Sequence, residues 1–279
     1  MNVDRYYSVS KYYKKIFSAK VYKITVDAGC TCPNRDGSKG VGGCIFCNNT
    51  GSGDFAASKE MSISEQVKNA KLLVKNKLPK NETSIKYVVY FQNFTNTYGD
   101  ETLLVKKYIE AAKCQDVVGV IIGTRPDCIS DFILTKIAEL EKKCYVSIEL
   151  GLQSSKEQTI EYIRRCYKNE EYINAIKRIK KASPNIHIVT HIIFGLPNEN
   201  YTDMLNTVKF AVNNGTDGLK IALLHVLRGT DLAIDYENKK FSCMTMEEYF
   251  KVIADALKII PKNIVIHRLI GDGAKKNLI

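Results

Sequence analysis

The stretch CTCPNRDGSKGVGGCIFC, residues 30 to 47, gathers four of the chain's nine cysteines. Cys44 and Cys47 form a C-x-x-C turn, which brings two thiolates to one metal, and eleven residues separate them from Cys32. Three such ligands suit either zinc completed by a fourth group or an iron–sulfur cluster. Cys30 is the obvious fourth ligand. Alternate residues of extended chain, however, point to opposite sides, which makes Cys30 a small buried residue instead. No histidine precedes His187, and the second C-x-x-C knuckle that zinc ribbons use does not occur, so the pattern favours a three-cysteine cluster. A [4Fe–4S] cube on three thiolates leaves one iron open to a cofactor. Gly37, Gly40, Gly42 and Gly43 let the backbone wrap such a group without Cβ clashes, and Phe46, inside the pair, shields it from water.

The elements that must hold this loop are read from periodicity. Short β-branched runs at 23–28, 84–92, 117–124, 144–152, 186–195 and 218–226 predict strands. Apolar residues at three- and four-residue spacing predict helices over 62–77, 100–113, 130–143, 155–182 and 201–214, with two helices in the fourth interval. Ser62, Ser130 and Asn200 serve as polar caps. Nearly continuous apolar strands separated by helices imply a parallel sheet with right-handed crossovers. Six such units predict an α/β fold, a partial (βα)6 TIM barrel over about 21–230. A further helix over 245–260 and a strand over 263–269 form a carboxyl-terminal extension at about 240–279, and residues 1–279 read as a single domain. The polar segments FQNFTNTY, GTRPDC, ELGLQS, GLPNEN and HVLRGT fall at carboxyl ends of strands, where barrel and open α/β enzymes build their sites.

Composition narrows the setting. A chain of 279 residues, 45% hydrophobic, can bury one sizeable core. No run reaches the roughly 18 apolar residues of a spanning helix, and the polar start MNVDRYYSVSKYYKKIF lacks the apolar middle of a secretory signal. A cytoplasmic protein with no membrane partner is expected, and in that reducing compartment clustered cysteines are ligands rather than bridges. The net charge of +11 favours an anionic partner such as RNA, although lysines on helix faces are also simply solvated.

The loop TCPNRDGSKGVGGCIFCN resembles the cluster-binding segment of radical S-adenosylmethionine (SAM) enzymes, in the widened spacing of the YhcC/YtqA-type family. YFQNFTNTY, IGTRPDC, IELGLQS, HIIFGLPNE, LKIALLHVLRGT and VIHRLIGDG match in order, so the resemblance covers nearly the whole chain. It implies one [4Fe–4S] cluster on Cys32, Cys44 and Cys47, with SAM chelating the open iron. An electron donor such as flavodoxin or ferredoxin would then allow SAM to be cleaved to methionine and a 5′-deoxyadenosyl radical that abstracts a substrate hydrogen. Members of the family usually continue a short stretch past the end of this chain, which implies a trimmed or shortened edge to the substrate site.

The resemblance also implies SAM contacts. Most radical SAM proteins carry Gly-Gly-Glu after the second strand; here Phe91 to Asn96 stands in its place, which leaves the binding atoms open among Gln92, Thr95 and Asn96. The same residues read equally as a polar turn capping the next helix. Glu149, alternating within an apolar strand, points into the barrel and requires a ligand or a cation as partner. The resemblance places it, with Gln153, near SAM; the structural alternative is an ion pair with Arg125 or Arg164. Those two arginines are candidates for the SAM carboxylate, which a guanidinium meets with two parallel bonds, and Arg164 also reads as helix surface charge. Gly195 and Leu196 begin the turn expected against adenine. His225, His267 and Cys128 are candidate substrate or catalytic groups, although a lone strand histidine is commonly a satisfied core residue.

The substrate implied by the resemblance is tRNA, at the carbon-5 side chain of the wobble uridine, with carboxymethylaminomethyl converted to aminomethyl. Tyr6, Tyr7, Tyr12 and Tyr13 among Lys11, Lys14 and Lys15 could stack on bases and grip phosphate, or pack that segment onto the barrel. The competing readings are the same chemistry on a small molecule or a protein, and a zinc-stabilised nucleic-acid-binding protein without catalysis.

Overall fold

The computed structural model describes residues 5–48, 60–75, 84–271 and 277–279. The end of the helix expected over 62–77, and residues 272–276 of the extension, lie outside them. Along the chain run β1 (Tyr7–Ser8), α1 (Val9–Phe17), β2 (Lys20–Val26), α2 (Ile63–Lys75), β3 (Ile85–Phe91), α3 (Glu101–Lys113), β4 (Val117–Thr124) and α4 (Asp131–Glu141). There follow β5 (Tyr145–Gln153), α5 (Glu157–Tyr162), α6 (Asn169–Ala182), β6 (His187–Phe194), α7 (Tyr201–Asn213), β7 (Gly218–Leu223), α8 (Asp231–Glu237), α9 (Met246–Ile259) and β8 (Val265–Arg268).

The strands form one parallel sheet in the order β1-β8-β7-β6-β5-β4-β3-β2. The result is a parallel α/β half-barrel of eight strands. Six of them, β2 to β7, occupy the expected runs and β8 the expected extension; β1 is an addition that periodicity did not give. Strand alternation assigns the two faces. Ile24, Val89, Ile122, Ile148, Ile188, Leu219 and Ile266 turn outward into the main core, which also holds Val67, Tyr108, Ile137, Ile179, Val208 and Val252 from the covering helices. The other parity lines the interior.

Caps act where the sequence placed them. Ser130 accepts a hydrogen bond from Ile133 N at 3.1 Å, Ser62 exchanges bonds with Glu65, and Asn200 forms a reciprocal capping box with Asp203. The interval 155–182 breaks into α5 and α6 because Arg165 turns inward between them. Its guanidinium, fully buried, donates to the carbonyls of Leu152, Ser154 and Tyr167 at 2.7 to 3.0 Å. Arg164 and Cys166, on either side, take left-handed backbone angles to make that reversal.

Of the amino-terminal tyrosines, Tyr13 packs inward, Tyr7 and Tyr12 are half-buried and Tyr6 is exposed. Tyr13 of α1 is buried with Val88, Tyr90 and Ile121 on the inner face of the sheet, and α1 rests against both β2 and β8. This helix therefore spans the gap between the two ends of the open half-barrel. Among the described residues, no helix is long and apolar enough to cross a membrane.

Candidate active site

The cysteine loop follows β2 and is tied to the α5–α6 connection. Asn34 Nδ2 donates to the carbonyl of Arg164 at 2.5 Å and lies 3.5 Å from Cys44 Sγ, while Ile45 N donates to Ile163 O at 3.2 Å. Gly40 must be glycine here, since a Cβ would sit 2.7 Å from Asn34 Oδ1. The C-x-x-C turn is closed by Cys47 N donating to Cys44 O at 2.9 Å. The hydrogen bond from the Cys47 thiol, with Asn34 adding to it, brings the Cys44 thiol down to about 7. The same bond and burial push Cys47 well up. Cys30 behaves otherwise. It packs against the main core, and burial pushes its thiol up to about 12.

Cys32, Cys44 and Cys47 line one cavity of about 170 Å³ at the carboxyl ends of the strands. Gln92, Thr95, Arg125, Gln153 and Tyr167 line the same cavity. Asn93 and Phe94 both have positive φ, 78° and 59°, so the turn after β3 is sharply folded. Phe94 lies over the Arg35 guanidinium at 5.2 Å, and Phe46 and Phe94 give the cavity apolar patches. Gly151 also lines it, and a Cβ there would meet Gln153 Nε2 at 2.5 Å. Among the described residues, no group of three His, Cys, Asp or Glu side chains is poised to hold a metal ion; the three cysteines line the cavity without closing on one point.

Deeper along the strands the cavity is bounded by Tyr90, Glu149 and His191. Glu149 is fully buried and takes Lys23 at 2.9 Å, Lys220 at 2.8 Å and His191 at 2.6 Å. Burial alone would raise its carboxyl, yet Lys220, Lys23 and His191 hold it well below the usual carboxylate range. The expectation of a cationic partner is met, but not by Arg125 or Arg164.

Those arginines are placed differently from the sequence reading. The Arg125 fork donates to Asp127 at 3.0 and 2.9 Å and its remaining nitrogen to Arg165 O at 3.0 Å, so its carboxylate partner comes from its own turn. Arg164 pairs with Asp231 at the surface and does not line the cavity. Asn96 is turned inward and fully buried, donating to Asn93 O and Gly123 O at 3.1 and 3.0 Å. Gly195, with φ of 81°, faces Met244, and Leu196 belongs to a separate apolar cluster with Ile45 and Ile163. His225 lies beside Gly271, outside the cavity lining. His267 sits 3.0 Å from His187, the first residue of β6, and so at the opposite end of the sheet. The Cys128 thiol is pushed up to about 12 by burial and by Asp127, which leaves it protonated near neutrality.

Sequence reasoning missed Lys23, Tyr90, His191, Lys220 and Tyr167. A signal existed for the lysines. Both alternate within apolar strands, KITV and LKIA, in the manner that singled out Glu149.

Fold and site together define an α/β half-barrel with a thiol-lined cavity at the strand ends. The Radical SAM superfamily model matches residues 32–211 and the Radical_SAM C-terminal domain matches residues 216–279. The chain belongs to the radical SAM superfamily. It is 37% identical over 269 residues to the uncharacterized protein YtqA of Bacillus subtilis (strain 168), covering 96% of this chain and 82% of that one. A shorter match, 31% identical over 111 residues, joins it to a tRNA-2-methylthio-N(6)-dimethylallyladenosine synthase of Dehalococcoides mccartyi, covering 38% of this chain and 26% of the synthase. The archaeal Methanocaldococcus infernus Elp3 shares the fold with a TM-score of 0.70 at 18% identity, over 94% of this chain and 59% of that chain. The present chain thus spans less than two thirds of Elp3.

Proposed function

We propose that the protein is a radical SAM enzyme acting on tRNA, at the carbon-5 side chain of the wobble uridine, taking carboxymethylaminomethyl to aminomethyl. The observation that carries the enzymatic part is the convergence of Cys32, Cys44 and Cys47 on the cavity that Gln92, Thr95 and Gln153 also line. The donor set fits a [4Fe–4S] cluster: three thiols lining one cavity, one already drawn towards thiolate, with Asn34 beside it. Those cysteines would hold the cluster, and the amide and hydroxyl groups of Gln92, Thr95 and Gln153 would receive the polar groups of SAM. Once bound, cluster and SAM supply one-electron cleavage to methionine and a 5′-deoxyadenosyl radical, given a reductant such as flavodoxin or ferredoxin. The chain's own contribution is positional. Phe46, Phe94 and Tyr167 keep water from the cavity, and the buried pairs of Arg125 and Glu149 fix its walls.

The tRNA part is supported by the net charge of +11 and by the match to a tRNA-modifying synthase. It is tested by incubating the reconstituted protein, SAM and reductant with tRNA from cells lacking this chain, followed by nucleoside mass spectrometry. Loss of the carboxymethyl mass from the wobble uridine is expected. 5′-Deoxyadenosine formation with unchanged tRNA would move the substrate to a small molecule or a protein.

A further inference from the structure

Inside the sheet, below the cavity, the strands send polar side chains towards a common centre. Lys23 comes from β2, Tyr90 from β3, Glu149 from β5, His191 from β6 and Lys220 from β7, and on β8 the register slips by one residue after Ile266, which takes Arg268 off the parity of Ile266 and sets it beside Lys220. β4 contributes Gly123, where a Cβ would stand only 3.3 Å from the Tyr90 hydroxyl. Lys220 Nζ bridges Glu149 at 2.8 Å and Tyr90 Oη at 3.1 Å. Arg268 is the register partner of Lys220 across β7 and β8. Its Nε is buried and has no hydrogen-bond partner, and among the described residues no carboxylate pairs with its guanidinium.

The charges do not balance. One carboxylate, Glu149, pairs with Lys23 and Lys220, and Arg268 stands in register beside Lys220. Burying cationic groups without enough counter-charge is costly, and a protein recovers that cost when a ligand brings the missing anion. We infer that this centre receives a carboxylate of the substrate, entering between Tyr90 and His191 and held by Lys220 and Arg268. With Glu149 counted, two cations remain, and the Lys220 ammonium and the Arg268 fork can meet the two oxygens of a carboxylate. The inference rests on the reading of the cavity as the active site and deepens it by naming the group that the interior recognises.

Arg268 offers a clean test, since among the described residues its guanidinium has no hydrogen bond or ion pair to lose. Two probe pairs are titrated by NMR into wild type and Arg268→Gln: 5-carboxymethylaminomethyluridine against its methyl ester, and butyrate against butyramide. Each carboxylate is expected to bind wild type about tenfold or more tightly than its neutral partner, as a charge-assisted contact requires. Arg268→Gln should abolish that preference while keeping the wild-type melting temperature. Butyrate preference without nucleoside binding would support the carboxylate seat and count against the wobble-uridine substrate. Nucleoside and ester binding alike, a preference that survives Arg268→Gln, or no binding by any probe would overturn the inference, the first of these leaving the tRNA reading in place.

Discussion

Glu149 and Arg164 show how differently two charged residues of one chain can weigh. Glu149 is fully buried with three partners, so Glu149→Gln leaves Lys23 and Lys220 uncompensated in the interior. Loss of one partner of such a buried group is expected to destabilise by about 3 kcal/mol or more, read by denaturant unfolding. Arg164 pairs with Asp231 at the surface, and Arg164→Gln is expected to change stability by less than about 1 kcal/mol. Lys220 adds a pH signature. Burial first, then Lys23 and Arg268 against the pull of Glu149, bring its ammonium from 10.5 down to about 7. Tyr90, protonated through this range, and His191, held neutral near pH 7 by burial, also face it. Between those two values the unfolded chain binds more protons than the folded one, so the Lys220 contribution to stability rises as pH climbs from 7 towards 10.5. Lys220→Met should flatten that rise in a series of urea melts; an unchanged slope would contradict the assignment. At this scale Glu149 was legible because a lone carboxylate in an apolar strand demands a cation. Which cation was not, because the pairing crosses strands far apart in sequence.

Among the elements, β4 and β5 approach closely enough to dictate a glycine. A Cβ on Gly119 would lie 2.3 Å from the carbonyl oxygen of Tyr145, a backbone atom that cannot swing aside. Gly119→Ala is therefore expected to cost at least about 2 kcal/mol and to lower the melting temperature, whereas a neutral result would mean that the two strands separate freely. Strands β2 to β8 and the helices on the outer face were legible because each carries its own apolar period. Elements β1, α1 and α8 were not. β1 has two residues and exists by pairing with β8, at the other end of the chain. The aromatic stripe of α1 reads from sequence as either a nucleic-acid grip or packing, and Tyr13 takes the second role by filling the inner face. The loop contacts of Arg165, which split α5 from α6, depend on carbonyls that only the folded chain gathers.

Across the whole molecule, the half-barrel places its cysteine loop, its β3 turn and its interior Glu149 around one cavity. If tRNA is the partner, affinity should fall about a hundredfold or more between about 50 and about 200 mM salt, with counterions released from the phosphates. A flat salt dependence would favour a small substrate. The central claim is that Cys32, Cys44 and Cys47 hold a cluster that drives SAM cleavage. Anaerobic reconstitution of wild type, Cys30→Ala and Cys44→Ala, with iron and sulfide counted and 5′-deoxyadenosine measured after SAM and dithionite, tests it most directly. Near four irons per chain and nucleoside formation are expected for wild type and Cys30→Ala, with both lost in Cys44→Ala. Zinc without sulfide in the wild type, and no nucleoside from any of the three, would contradict it.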